Sequence, residues 1–124
     1  MKCILFLLVL CCLSCNNKPN IPEALIGKWK IYDTKFNTKD ISKSSDPTNE
    51  NGLEFQANGN YISFGNPRHE DQGTYEVNKD DLLFKSRKIV GVTNAKMILA
   101  QDTLQLNIAV DSTKTLFMKL YRMK

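Results

Sequence analysis

At 124 residues with a formal charge of +4, the chain has room for one domain and not for two. The positive excess is modest. Lys28, Lys30, Lys35, Lys39 and Lys43 form its densest stretch, but acidic and polar residues interrupt them, which suits a solvated face and argues against a nucleic-acid partner. All four cysteines (Cys3, Cys11, Cys12 and Cys15) fall in the first fifteen residues, so the rest of the chain has no thiol for a disulfide or a redox centre.

Taken in chain order, Met1-Lys2-Cys3 is a short basic start, and Ile4 to Leu13 is an apolar run. The run is about ten residues long, whereas a membrane-spanning helix needs about twenty. A basic start, a short apolar run and a small residue before a cut describe a signal peptide, here residues 1–14. The segment Cys12-Leu13-Ser14-Cys15 resembles the lipobox of bacterial lipoproteins, with Cys12 standing where leucine is usual. That resemblance implies a cut before Cys15 and acylation of its thiol. Two or more acyl chains then hold a protein stably on a membrane, which one chain does only marginally. Asn16 follows the acceptor, where an aspartate would resemble an inner-membrane retention signal. The expectation is therefore an outer-membrane lipoprotein facing the periplasm, for a Gram-negative source. Removal of residues 1–14 leaves sixteen basic and thirteen acidic side chains.

Residues 15–22 read as a polar tether, and residues 23–124 as the folded domain. Pro22-Glu23-Ala24-Leu25 suits one helical turn, because proline fits a first turn. From Gly27 onward, β-branched and aromatic runs alternate with Asn, Gly, Asp and Ser, and no long helical period appears. Asn58-Gly59 signals a two-residue hairpin turn. Counting outward from it pairs Gln56 with Tyr61, Phe55 with Ile62 and Leu53 with Phe64, so the last four share an apolar face. A turn at Lys79-Asp80 sets Val77 against Leu82 and Tyr75 against Phe84. One at Gln101-Asp102 sets Leu99 against Leu104, Met97 against Leu106 and Ala95 against Ile108. A three-residue connection at Ser112-Thr113-Lys114 sets Val110 against Leu116, Ile108 against Met118 and Leu106 against Leu120. The result is an all-β meander of eight antiparallel strands. Eight strands can close into an up-and-down barrel that either fills itself or holds one small ligand, and closure removes exposed edges.

Several segments together carry a family resemblance: Gly27-Lys28-Trp29, the run Phe55 to Tyr61, Gly73-Thr74-Tyr75, Asp102 to Leu106 and the closing Leu120-Tyr121-Arg122. Over roughly residues 24–123 the chain resembles the small lipocalin-like domains of bacterial lipoproteins. The resemblance implies a structural site in which Arg122 from the last strand covers Trp29, with Gly27 beside it, at the closed end. It also implies an ability to bind a small apolar or amphipathic molecule. The candidate lining is Trp29, Phe55, Ile62, Phe64, Tyr75, Phe84, Met97 and Met118. This chain is shorter than the lipocalins and lacks their disulfide and following helix, so a filled core stands beside the ligand cavity as an alternative.

Two loops and one outer face are left over. Pro67-Arg68-His69-Glu70-Asp71 groups possible ligands and acid–base residues, but adjacent loop positions do not converge, and a solvated turn is the expectation. Residues 37–51 form a long polar stretch, read either as a disordered loop or, by the resemblance, as a lid over the barrel mouth. Phe117 and Tyr121 stand outside the barrel, either under the turn at Pro22–Ile26 or as a partner surface. No enzyme or cofactor motif is present. Two functions stay open: a non-enzymatic binder of an apolar ligand, or a filled barrel that engages another envelope protein.

Overall fold

The computed structural model describes residues 20–124, His69 by its backbone alone. The signal peptide, the lipidation site at Cys15 and most of the tether lie outside the described residues. The alternating segments become β1 (Gly27–Phe36), β2 (Lys39–Asp40), β3 (Gly52–Phe55), β4 (Asn60–Phe64), β5 (Asp71–Asn78), β6 (Asp81–Ser86), β7 (Thr93–Leu99), β8 (Thr103–Ala109) and β9 (Thr115–Arg122). From β3 onward each strand pairs antiparallel with the next, and β9 returns to β1 from Trp29↔Arg122 to Phe36↔Leu116. The chain is thus a small, closed, eight-stranded antiparallel barrel of β1 and β3–β9. The two-residue β2 is an extra pairing on β1.

β1 carries a bulge between Ile31 and Asp33, on the seam where it pairs with β9. The additional residue, Tyr32, stays on the surface, and beyond it Thr34 returns to the interior, where it is buried. A bulge of this kind sharpens local twist and bend, which a small barrel needs at its seam. Burial alternates along the strands as period-two geometry requires. Leu82 and Phe84, Ala95 and Met97, and Leu104 and Leu106 point in from β6, β7 and β8.

The hairpins at Lys79-Asp80 and Gln101-Asp102 have the register read from the sequence. The other two differ. β3 and β4 pair Phe55 with Tyr61 and Leu53 with Ser63, one step from the expected Phe55–Ile62 pairing. The connection has three residues: Gln56 accepts from Gly59 N–H, Gln56 N–H donates to Asn60, and Gly59 adopts φ +90°. A turn closed by one glycine in the left-handed region needs three residues, whereas a two-residue turn would also require Asn58 at positive φ. Asn58 instead uses its side chain to accept from Asn60 N–H at 3.0 Å. At β8–β9 the three-residue connection is Asp111-Ser112-Thr113, and Leu106 pairs with Met118 and Ile108 with Leu116. That shift is two residues, so every side chain keeps its face.

Residues 37–51 are not a featureless loop. Asn37, at φ 55°, turns the chain back so that β2 pairs with the end of β1, and a helical turn α1 (Ser42–Ser45) follows. Thr34 N–H donates to Ser42 Oγ at 2.9 Å, and the Asp46 carboxylate accepts from the N–H groups of Glu50 and Asn51. The polar side chains thus supply the backbone partners that a buried strand would otherwise give.

Candidate functional site

The barrel has two unlike ends. At the floor, Trp29 is fully buried on β1, and the Arg122 guanidinium from β9 lies over it, 4.4 Å from the ring centroid. The turn at Glu23–Leu25 seals the same end. Its Leu25 carbonyl accepts the Trp29 indole N–H at 2.8 Å, and Arg122 donates to the carbonyls of Ile26, at 3.1 Å, and Ala24. Gly27 is required here twice over. Its φ of +133° disfavours any side chain, and a Cβ would sit 3.1 Å from Arg122 Nη1. The Asp102 carboxylate lies 3.8 Å from Arg122 Nε and completes the cap. Gly27, Trp29 and Arg122 therefore meet in one structural cluster.

Above the floor the interior is filled. Phe55, Leu82, Leu104, Leu106 and Leu120 are all but inaccessible to solvent. Phe55 packs edge-on against Tyr75, with ring centroids 5.0 Å apart, and Tyr61 packs edge-on against Phe84 at 5.1 Å. Of the candidate ligand-lining residues, Trp29, Phe55, Tyr75 and Met97 belong to this packed layer. Ile62 and Phe64 do not line the interior at all. The register of β3–β4 turns them outward, and the Phe64 ring lies across Gly52, where a side chain would meet it. Tyr61, which the expected register placed outside, takes the inward position.

The other end is open. A cavity of about 370 Å³ is walled by inward-facing Leu53, Tyr61, Phe84, Ile108 and Met118, with Arg68, Glu70 and Lys88 at its rim. Phe84 and Met118 are thus the two candidate residues that line this cavity. The remaining larger depressions, about 170 and 450 Å³, are lined mainly by outward-facing residues of β4, β5 and β6.

One polar group is built into the cavity wall. Asp71 accepts from Tyr61 Oη at 2.9 Å, Ser86 Oγ at 2.8 Å and Gln72 N–H at 2.8 Å, so it ties β4, β5 and β6 together. Burial opposes its ionisation, but the hydrogen bonds from Ser86, Tyr61 and Gln72 and the nearby Lys88 charge outweigh that and hold the carboxyl below its ordinary range. Burial, then the Asp71 hydrogen bond and negative charge, push the Tyr61 phenol up to about 12. At neutral pH the wall therefore presents a neutral phenol donating to a carboxylate. The sequence reading placed Asp71 in a solvated turn, whereas it opens β5, and the mis-set hairpin register put Tyr61 outside the barrel. An inward tyrosine diagonal to an inward aspartate, with Tyr61 paired to Gly73 and Asp71 to Ser63, is the signal that a correct register would have exposed.

Tyr121 does not pack under the Pro22–Ile26 turn. It meets Tyr32 on the outer surface, ring centroids 5.6 Å apart, while the Phe117 ring lies 5.9 Å from the ammonium groups of Lys35 and Lys119. In the loop before β5, Pro67–His69 forms a single turn whose start is capped by the Asn66 side chain. No protein-family model matches this chain, and a search of curated proteins finds no match either.

Proposed function

We propose that this protein is an outer-membrane lipoprotein, anchored through Cys15 and facing the periplasm, whose lipocalin-like barrel holds a small apolar or amphipathic molecule in its mouth. Its action is binding, not catalysis. The observation that carries this reading is the half-filled interior: a packed floor beneath an open cavity of about 370 Å³ whose exposed wall is mainly apolar, with Ser63, Thr93 and the Tyr61–Asp71–Ser86 group as its polar lining. That volume is near the lower end of the roughly 300–1,000 Å³ usual for ligand sites. An apolar segment would lie between Leu53, Phe84, Ile108 and Met118. A polar end would meet Arg68, Lys88 and the Tyr61–Asp71–Ser86 group at the rim.

The test is titration with a fluorescent fatty acid whose emission rises in apolar surroundings. Saturable enhancement at micromolar protein, lost in Ile108→Trp, is the expected result. Enhancement that never saturates, or that survives filling of the mouth, would overturn the reading. Trp29 is a poor reporter, because the packed layer separates it from the cavity.

A second reading has its own observation. The exposed Tyr32–Tyr121 pair is an outer aromatic patch of the kind that engages other proteins. Under that reading the barrel is an interaction module in the cell envelope. Photocrosslinking from position 121 in cells would capture an envelope protein if it holds, and nothing above background if it does not.

A further inference from the structure

We propose that the β6–β7 loop, residues 87–92, docks the mouth of the barrel onto an anionic lipid surface. The loop reads Arg87-Lys88-Ile89-Val90-Gly91-Val92, two cations followed by an apolar tip. The tip stands clear of the barrel at Val90, while Val92 borders a depression along β5 and β6. Ile89 is 66% exposed, Val90 102% and Val92 56%, and Val110 on the neighbouring mouth loop is 54% exposed. Ile89 also borders the cavity. Four of the aliphatic residues that the fold leaves uncovered thus lie at this end of the strands, while Ile98 is exposed on the outer face of β7.

The charges near the tip point to the occupant. Arg87 and Lys88 flank it, and Arg68 rises from the adjacent loop on the same rim. The acids facing this group are Glu70 and Asp71, and Asp71 is engaged by three donors from its own wall. Lys88 Nζ reaches the Glu70 backbone carbonyl, while Lys114 stands 3.8 Å from Asp111 on the loop that carries Val110. An apolar tip with cationic shoulders matches the boundary of an anionic bilayer, where aliphatic groups enter the acyl region and cations meet phosphates. A protein partner would be expected to need a larger face with aromatic anchors, and this tip offers three aliphatic side chains, with Val110 on the neighbouring loop.

The contact is independent of any anchor. The described chain begins at the floor, beside Leu25 and Trp29, whereas the loop lies at the opposite end of the strands. The mouth would meet a lipid surface directly, so an amphipathic ligand could pass between bilayer and cavity without crossing water.

The test places a tryptophan on the tip. The full-length chain carrying Val90→Trp, held in neutral nanodiscs, is mixed with phosphatidylglycerol-rich vesicles containing brominated lipid. Val90 is fully exposed, so the exchange leaves the core untouched, and buried Trp29 contributes a constant background. The expected result is a blue shift and at least twofold quenching for Val90→Trp, and none for Gln101→Trp at the floor end. Both effects should fall several-fold with neutral vesicles or in the Arg87→Ser/Lys88→Ser background. Unchanged emission from position 90, or equal quenching from positions 90 and 101, would overturn the proposal. The fatty-acid titration is carried out without vesicles, so failure of either experiment leaves the other standing.

Discussion

Arg122 lies over the indole of Trp29 while donating to two carbonyls of the turn that precedes β1, so one side chain joins the last strand, the first strand and the floor. Trp29 and Arg122 are also directly paired across the β1–β9 seam. The floor is therefore sealed at the last pair of the ladder that closes the barrel. Replacing Arg122 by alanine is expected to cost about 2 kcal/mol, from the stacking and the charge-assisted hydrogen bonds together. Arg122→Lys should recover little, because an ammonium cannot stack flat and reach both carbonyls. Urea unfolding with an unchanged slope is the measurement, and a midpoint equal to wild type for Arg122→Ala would refute the assignment.

The three-residue connection at Ala57–Gly59 makes Tyr61 an interior residue and Ile62 an exterior one. Tyr61→Ala is expected to lose about 3 kcal/mol, since a large buried ring is removed and Asp71 loses a donor. Ile62→Ala should cost less than about 1 kcal/mol, as outward positions do. A two-residue turn would invert that order. Equilibrium unfolding of the two variants side by side decides between the registers.

Two phenols should make the fold sensitive to alkali. Burial pushes Tyr75 up to about 12, and burial with the Asp71 interaction pushes Tyr61 to about 12, from an ordinary value of 10. Folding that raises a phenol's pKa stabilises the protein fully below pH 10, and that contribution disappears as pH rises through 12. Absorbance at the tyrosinate band should show these two rings ionising late, and stability should fall across that window. The Tyr61→Phe/Tyr75→Phe variant should have a flatter alkaline limb. Asp71 acts at the other limit. Its lowered pKa stabilises the fold above 3.8, and the contribution is lost as pH falls through the lower folded value. Asp71→Asn should flatten the acid limb.

The mouth and the floor should respond differently to size. Leu104 is fully buried in the packed layer, and Leu104→Ala is expected to cost roughly 2–5 kcal/mol. Ile108 faces the cavity, so Ile108→Trp has room for its ring and should leave the thermal midpoint within a few degrees of wild type. A strong drop in midpoint for Ile108→Trp would show that the cavity is not free space.

The anchor is checked at Cys15. With the wild-type chain, labelled palmitate should be incorporated and the protein should sediment with membranes. Cys15→Ser should take up no label. Incorporation that persists in the variant would remove Cys15 as the acylated residue.

Much of the barrel was legible before any coordinates, because alternation is a local property. Val77 opposite Leu82 and Met97 opposite Leu106 follow from a turn and a period of two, and the whole β5–β8 stretch repeats that logic. The resemblance also placed Gly27, Trp29 and Arg122 together, on the first and last strands. The polar stretch 37–51 was not legible. Its order rests on Ser42 and Asp46 satisfying backbone groups of other segments, which no hydrophobic pattern records.

By itself the sequence determined the fold class and the inward face of most strands. Only the tertiary structure decided which of Tyr61 and Ile62 points inward. Asn58-Gly59 is compatible with two loop lengths, and the choice between them is made by partners remote in the chain. The inward position suits Tyr61 because Asp71 accepts its hydroxyl, and the outward position suits Phe64 because Gly52 leaves space beneath its ring. The tertiary structure likewise decided how full the barrel is. Whether Phe84 and Met118 meet neighbours or empty volume depends on strand tilt and closure at the β1 bulge, and these are global quantities that no local pattern contains.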